Sequence, residues 1–297
     1  MDILSEILAG ARWTGDMMSR RALFGTWGLR FPCARSAAFH AVTQGDCLVR
    51  WQGTDLHLQA GDVIFVARGK IHELSSARGV KAVDVEEFGR IGQKAKPGDT
   101  PATTLLSIRY EIPTGPMHPL IVDLPDFILI RGKQVAAHHA LHSVMQLVSA
   151  EIDQGIASDL ILQKLADILL YQVLRLHLAS ETNQRPGWRS ALADEKVRAA
   201  LENLHRRPEH QWTLANLASS VGLSRASLAS RFKSALGTTP MHYLVELRID
   251  KGRVALAEPG MTLDAAARRV GYSSAFAYSK AYKRVRGKAP TLDLTGK

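Results

Sequence analysis

The sequence predicts an α+β chain of two domains: a small β-barrel followed by two helices, then an all-α domain. Three observations predict it. Short apolar stretches separated by Gly/Asp turns occupy the first 125 residues, and the hydrophobic period becomes helical from Ala136. The last hundred residues contain a duplicated helix–turn–helix pattern. Charge divides along the same lines. Residues 1–184 carry 18 Lys and Arg against 19 Asp and Glu, whereas residues 185–297 carry 20 against 9. A near-neutral domain joined to a strongly basic one is the electrostatic footprint of a chain whose second half binds a polyanion.

Composition narrows the class further. With 46% apolar and 22% charged residues over 297 positions, the chain is long enough for two ordinary cores. Apolar runs such as Phe127–Ile130 and residues 168–170 are far too short to cross a bilayer, so no membrane partner is expected. Met1-Asp2-Ile3-Leu4-Ser5-Glu6 carries acids where a signal peptide starts basic, and Cys33 and Cys47 make no disulfide framework. Both features predict a reducing, cytoplasmic setting.

The strands are expected in order at residues 38–43, 47–51, 56–58 and 63–66, then again near 105–110 and Phe127–Ile130. Turns are expected between them at Gln44-Gly45-Asp46, Gln52-Gly53-Thr54-Asp55 and Ala60-Gly61-Asp62. Residues 94–103, with two prolines and a glycine, read as a surface loop. Such spacing suits a small barrel or sandwich.

Helical spacing follows in Leu141, Val144, Met145, Leu147 and Val148, up to Asp153-Gln154-Gly155. Ser158 or Asp159 can cap a second helix running to Leu178. That helix is apolar on two faces, Ile161, Leu165, Ile168 and Leu169 on one, Leu162, Leu170, Val173 and Leu174 on another. One face can cover the barrel. The other needs a partner, either a second copy of the chain or the interior of the same domain. Residues 179–187 read as the linker, dividing the chain into domains 1–183 and 184–297.

The duplication carries the strongest signal. Thr213-Leu214-Ala215-Asn216-Leu217-Ala218-Ser219-Ser220-Val221-Gly222-Leu223-Ser224 matches Thr262-Leu263-Asp264-Ala265-Ala266-Ala267-Arg268-Arg269-Val270-Gly271-Tyr272-Ser273 at an offset of 49. Beyond them Phe232-Lys233, Gly237 and Pro240 match Tyr282-Lys283, Gly287 and Pro290 at 50, so one residue is inserted. The units span about 212–237 and 261–287. Gly222 and Gly271 mark turns of positive φ, and Ser224 and Ser273 are the expected caps of the second helices. The first reading helix is expected at Arg225–Leu236, with Leu228 and Phe232 inward and Arg225, Ala226, Ser227, Ala229, Ser230 and Arg231 outward. The second, about 274–285, has Tyr278 and Tyr282 inward and Ser274, Ala275, Phe276, Ala277, Ser279 and Lys280 outward. Lys233, Lys283, Arg284 and Arg286 are placed to meet phosphates. Residues 241–256 form the helix that would hold the two readers on successive major-groove faces.

Residues from about Val197 to Pro290 resemble the DNA-binding domain of the AraC/XylS family of bacterial regulators. The resemblance rests on Leu214-Ala215-Asn216-Leu217-Ala218, Gly222-Leu223-Ser224, Leu228, Phe232-Lys233, Gly237-Thr238-Thr239-Pro240, Arg248, Val270-Gly271-Tyr272-Ser273, Lys283 and Gly287-Lys288-Ala289-Pro290. Two departures bear on contacts: Ser230 stands where a basic residue is common, and Phe276 where small polar residues are usual. The resemblance implies a transcription regulator, not an enzyme. Its implied partners are double-stranded promoter DNA, a small-molecule effector, RNA polymerase and a second copy of the chain.

Phe39-His40-Ala41-Val42, Gly45-Asp46-Cys47 and residues 60–74 resemble the cupin barrel often placed before that domain. Metal-dependent cupins carry His-X-His with a following Glu and a later His. Here only His40 and His72 stand out, and Ala67 replaces the usual Pro. His40, Cys47 and His72 remain zinc-competent ligand types, with Cys33 a fourth, and they also mark the expected effector pocket. The competing reading makes both histidines hydrogen-bonded core residues and Cys47 a small buried hydrophobe. His138-His139 and His142 lie on a helix face without a partnering ligand. Two other functions compete with a regulator: a metal-dependent cupin enzyme fused to a DNA-binding domain, and an architectural DNA binder with a structural barrel.

Overall fold

The computed structural model describes residues 3–11, 13–33, 35–93, 98–112, 117–153, 159–180 and 187–294. Ser158, residues 94–97 of the expected loop and residues 181–186 of the expected linker lie outside them. The chain divides into two units, Ala11–His177 and Met1–Gly10 together with Leu178–Lys297. The sequence places the division a few residues later and leaves the first ten residues with the barrel. The structure packs them in the helical unit instead. They form α1 (Ile3–Ala11), an amphipathic helix that buries Ile3, Leu4 and Ile7. Its Glu6 lies 3.5 Å from Lys251 Nζ and 3.7 Å from His205 Nδ1. Apolar burial, with a carboxylate set among nitrogen partners from that unit, outweighs proximity along the chain.

The unit Ala11–His177 holds nine strands: β1 (Thr14–Leu23), β2 (Gly28–Phe31), β3 (Ser36–Trp51), β4 (Thr54–Gln59), β5 (Val63–Val66), β6 (His72–Ser75), β7 (Val83–Asp84), β8 (Thr103–Glu111) and β9 (Phe127–Ile130). They join in the order β1-β8-β3-β6-β2-β7, with β4 on β3 and β5 between β3 and β9. The long β3 organises them. Its first half pairs with β8 and β5, its second with β4 and β6. The expected turn at Gln44-Gly45-Asp46 is therefore a bend inside one strand. The register against β8 slips between Val42 and Gln44, and Gly45 takes φ +72°. A Cβ there would lie 1.9 Å from the Ala102 carbonyl oxygen, so only glycine fits. The next turn is genuine: Gln52 and Gly53 both have positive φ, and Trp51 pairs with Thr54 across a two-residue hairpin. Leu23, Leu29, Val42, Cys47, Leu58, Leu74 and Leu105, fully buried, form the core of the sheet.

Helices α2 (Val85–Ile91), α3 (Pro119–Asp123), α4 (Gly132–Ala137), α5 (His139–Asp153) and α6 (Asp159–Ala179) complete this unit. Asp62 anchors α4. Despite the upward push of burial, the Gly132 N–H at 2.8 Å and the Arg131 guanidinium at 2.7 Å hold its carboxyl below the usual range. Against the sheet, α6 approaches so closely that a Cβ at Gly15 would stand 2.5 Å from that of Ala166. The Tyr110 hydroxyl donates to the Ala166 carbonyl at 2.9 Å. The two apolar faces expected of α6 are redistributed: Leu165 and Leu169 join Leu170, Val173 and Leu174 inside, while Leu160, Ile161 and Ile168 stand outside. Among the described residues no helix is long and apolar enough to cross a membrane.

The other unit continues with α7 (Trp188–Ala193), α8 (Glu195–Arg206), α9 (Leu214–Ser220), α10 (Arg225–Leu236), α11 (Pro240–Leu256), α12 (Leu263–Arg269), α13 (Ala275–Arg286) and α14 (Pro290–Leu294). Helix α11 starts where the Thr239 hydroxyl accepts from His242 N–H and Pro240 occupies the first turn. At one end its Tyr243 packs on Phe232 and Trp188, with ring centroids 5.8 and 5.9 Å away. Toward the other, Gly252 admits the Tyr278 ring, whose hydroxyl a Cβ would meet at 2.5 Å, and that hydroxyl donates to the Ile249 carbonyl. Buried at both ends, α11 is a fixed spacer about 25 Å long.

Candidate functional site

The two repeats build the same backbone. In the first, Thr213 caps α9 and shares a capping box with Asn216; in the second, Thr262 caps α12. Each helix ends in a tight turn closed by equivalent bonds, Leu223 N–H to the Ala218 carbonyl and Tyr272 N–H to the Ala267 carbonyl, both 2.9 Å. Gly222 (φ +67°) and Gly271 (φ +88°) supply the left-handed residue. Ser224 caps α10 by accepting from Ser227 N–H. The cap of α13 is Ser274, accepting from Ala277 N–H, and not Ser273 as the repeat alignment suggests. The inserted residue sits in the turn, so the cap follows the offset of 50 that governs the helix after it. Gly237 and Gly287 close the two helices in left-handed conformation.

Helices α10 and α13 keep their inner faces alike and their outer faces free. Leu228 and Phe232 are fully buried in the first, Tyr278 and Tyr282 in the second. Outward on α10 stand Arg225, Ala226, Ser230 and Lys233, with Ser227 half-buried. On α13, Phe276, Lys280, Lys283 and Arg284 are exposed, and Ser274, Ala275 and Ser279 are half-buried. Phe276 is 79% exposed, more than any other large apolar side chain among the described residues. Two of the expected DNA cations have protein partners. Arg231 pairs with Asp194 at 3.1 Å, the same carboxylate that caps α8, and the half-buried Arg286 pairs with Asp250. Arg286 thus ties α11 to α13.

In the sheet, His40 and His72 come together, Nε2 to Nε2 at 2.8 Å, with Phe31 stacked on the His72 ring and tilted against that of His40. The bonds define the tautomers. His72 Nδ1 faces the Lys70 carbonyl at 2.9 Å, which only accepts, so Nδ1 holds the proton. His40 Nε2–H then donates to His72 Nε2, and Ser107 Oγ–H, 2.9 Å away, donates to His40 Nδ1. Burial keeps His40 neutral, with His72 and Arg21 adding to the effect, and burial draws His72 down to about 4.

The residues present do not fit zinc. His40 and His72 satisfy each other's Nε2 atoms directly. Cys47 belongs to the apolar core, where burial, then Asp46 and Asp62, push its thiol up to about 12, far from the thiolate a metal needs. Cys33 is buried in the same core. Among the described residues no three His, Cys, Asp or Glu side chains gather to hold a metal.

Beside His40 the sheet opens into a cavity lined by Ser19 and Arg21 of β1, Ser36, Ala38 and His40 of β3, and Ser107 and Arg109 of β8, under Phe31 and Cys33. About 80 Å³ of it is open to the centres of water-sized molecules, several times what one water needs. Of the residues expected at the pocket, His40 lines the cavity and Cys47 and His72 do not; Cys33, expected only as a fourth metal ligand, lines it too, and sequence reasoning missed the rest. The available signal was period-2 alternation: Ser19 and Arg21, Ser107 and Arg109, and Ser36, Ala38 and His40 each occupy one face of a strand. Which strands adjoin is a matter of pairing, which the alternation does not contain.

Comparison with known proteins agrees with both halves. A cupin family model matches residues 2–179, and a helix-turn-helix domain model matches residues 217–292. An AraC-like transcription regulator of Streptomyces lividans is 32% identical over 98% of this chain and 97% of its own. The HTH-type transcriptional regulator AlkR of Acinetobacter baylyi is 27% identical over 96% of each. Among solved structures, an AraC-type DNA-binding domain protein of Chromobacterium violaceum is 26% identical, covering 35% of this chain and 92% of its own with a TM-score of 0.33.

Proposed function

The chain belongs to the AraC-like family of DNA-binding transcription regulators, and from that premise we propose that it reads two successive major-groove faces of promoter DNA under the control of a small effector. The observation that carries the DNA reading is the repeated geometry of α10 and α13: turns closed by the same bond, serine caps, buried inner pairs and outer faces of small, basic and aromatic side chains. The first turns of such helices reach base edges, which assigns Arg225, Ala226, Ser227 and Ser230 to one face and Ser274, Ala275, Phe276, Ser279 and Lys280 to the other. Lys233, Lys283 and Arg284 meet phosphates at the helix ends. A spacer about 25 Å long suits readers on groove faces ~34 Å apart.

The effector occupies the cavity of the sheet and acts by binding two arrangements of the protein unequally. A second copy of the chain covers the exposed aliphatic side chains of α6, Leu160, Ile161 and Ile168. Left bare, they forgo about 1 kcal/mol each of further burial.

Genome-wide occupancy of the tagged protein, followed by footprinting at its peaks, tests the reading. Two protected patches one helical turn apart are expected. Arg225→Ala and Lys280→Ala should each cost ~1–3 kcal/mol of operator affinity. Unchanged affinity in both variants would remove α10 and α13 from the interface.

A further inference from the structure

The cavity lining is chemically lopsided. Strand alternation brings two guanidinium groups, Arg21 and Arg109, and three hydroxyls, Ser19, Ser36 and Ser107, to one concave face, with Glu86 the single carboxylate on the lining. Both cations act on the cavity: His40 feels the charge of Arg21, and the Cys33 thiol that of Arg109. Arg21 is half-buried, its hydrogen-bond partner among the described residues is the neutral Ser19 hydroxyl, and burial alone pulls its pKa down. A guanidinium drawn partly out of water with a neutral hydroxyl as its partner is an unfavourable arrangement that a bound anion relieves. The remaining walls, Phe31, Ala38 and Ile108, are apolar.

We propose that the effector is a small organic carboxylate, its anionic end held by Arg21 and Arg109 with the Ser19 hydroxyl, which accepts from Arg21 and keeps its proton to donate, its apolar body against Phe31, Ala38 and Ile108. The neutral His40, whose Nδ1 accepts the Ser107 proton, ties that hydroxyl to the wall of the cavity and leaves the donors to the arginines and Ser19. The inference rests on the effector reading above and specifies the ligand class. Planar bidentate recognition of carboxylate is what a guanidinium does best.

Calorimetric titration of the full chain with acetate, butyrate and benzoate, and with benzamide and inorganic phosphate, tests it. At least one carboxylate should bind, benzoate at least tenfold more tightly than its neutral isostere benzamide. Arg21→Gln should weaken the bound carboxylate tenfold or more, and Arg21→Lys should restore part of the loss. Unliganded operator affinity in both variants should match the parent, which checks folding. Three results would each overturn the proposal: no carboxylate binds the parent chain, benzamide or phosphate binds as tightly as the best carboxylate, or Arg21→Gln leaves affinity intact in a variant that still binds operator. Operator affinity measured with and without the bound carboxylate keeps the two readings apart. Carboxylate binding without any change in operator affinity sinks the effector reading alone. A neutral molecule that shifts operator affinity from this cavity sinks only the ligand class.

Discussion

Helices α10 and α13 are two copies of one backbone carrying different chemistry. At equivalent positions 50 residues apart, Ala226 faces Phe276, Ser230 faces Lys280 and Ser234 faces Arg284, while Lys233 and Lys283 are the same. Inside, Leu228 and Phe232 give way to Tyr278 and Tyr282 without changing burial. The turns differ as well. Gly222 has only the flexible end of Lys196 near its missing Cβ, at 3.7 Å, whereas Gly271 lies against the Glu209 backbone, whose oxygen a Cβ would meet at 2.6 Å. The second unit is also clamped by Arg248, which donates to the Pro208 and His210 carbonyls and lies 5.8 Å from the Tyr272 ring centroid. Duplication preserved what the backbone requires and released the outer face to acquire a different reading.

The turns offer the largest test of that asymmetry. Gly271→Ala should destabilise the helical unit by about 3 kcal/mol, since left-handed strain adds to a backbone clash, and Gly222→Ala by about 1 kcal/mol from strain alone. Urea unfolding measures both; equal costs would show that the Glu209 contact does not separate the two turns.

A smaller difference is expected at the outer face. Phe276→Ala should weaken operator binding by about 1–2 kcal/mol while sparing non-specific DNA, because an exposed ring at that place meets thymine methyls and not phosphates. Competition binding with random-sequence DNA reads the ratio, and a uniform loss would return Phe276 to the ranks of incidental surface residues.

The smallest effect should be shared. Lys233→Ala and Lys283→Ala should each lower the slope of affinity against salt by about one, with little loss of sequence preference. A change in preference from either one would place it on a base edge and break the equivalence of the two helix ends.

Much of this was legible in the sequence because it is local. Caps at Thr213, Thr262 and Ser224, left-handed glycines at 222 and 271, and buried pairs four residues apart all follow from rules that act within one turn of helix. The displaced cap at Ser274 shows the limit, since an insertion of one residue can be absorbed on either side of a turn and the alignment alone places it on the wrong side. The sheet was less legible. Gly45 carries the same local signature as a hairpin glycine, and only the Ala102 carbonyl across the strand turns it into a bend. The cavity of the sheet was half-found for the same reason. His40 stood out by residue type, whereas Arg21 and Arg109, 88 residues apart, come to one cavity only because β1 pairs with β8.

The sequence by itself determined the two-domain α+β plan, the basic helical half, the tandem turns and the inner and outer faces of α10 and α13. Each follows from charge, periodicity or the conformational freedom of single residues, quantities that a chain possesses before it folds. Tertiary structure alone decided the placement of α1 with the helical unit, the pairing of His40 with His72 in place of a metal set, the commitment of Arg231 and Arg286 to carboxylates, and the two-arginine cavity. These depend on which distant segments become neighbours, and that is settled by the sum of long-range packing, to which no local stretch of sequence contributes more than a small part.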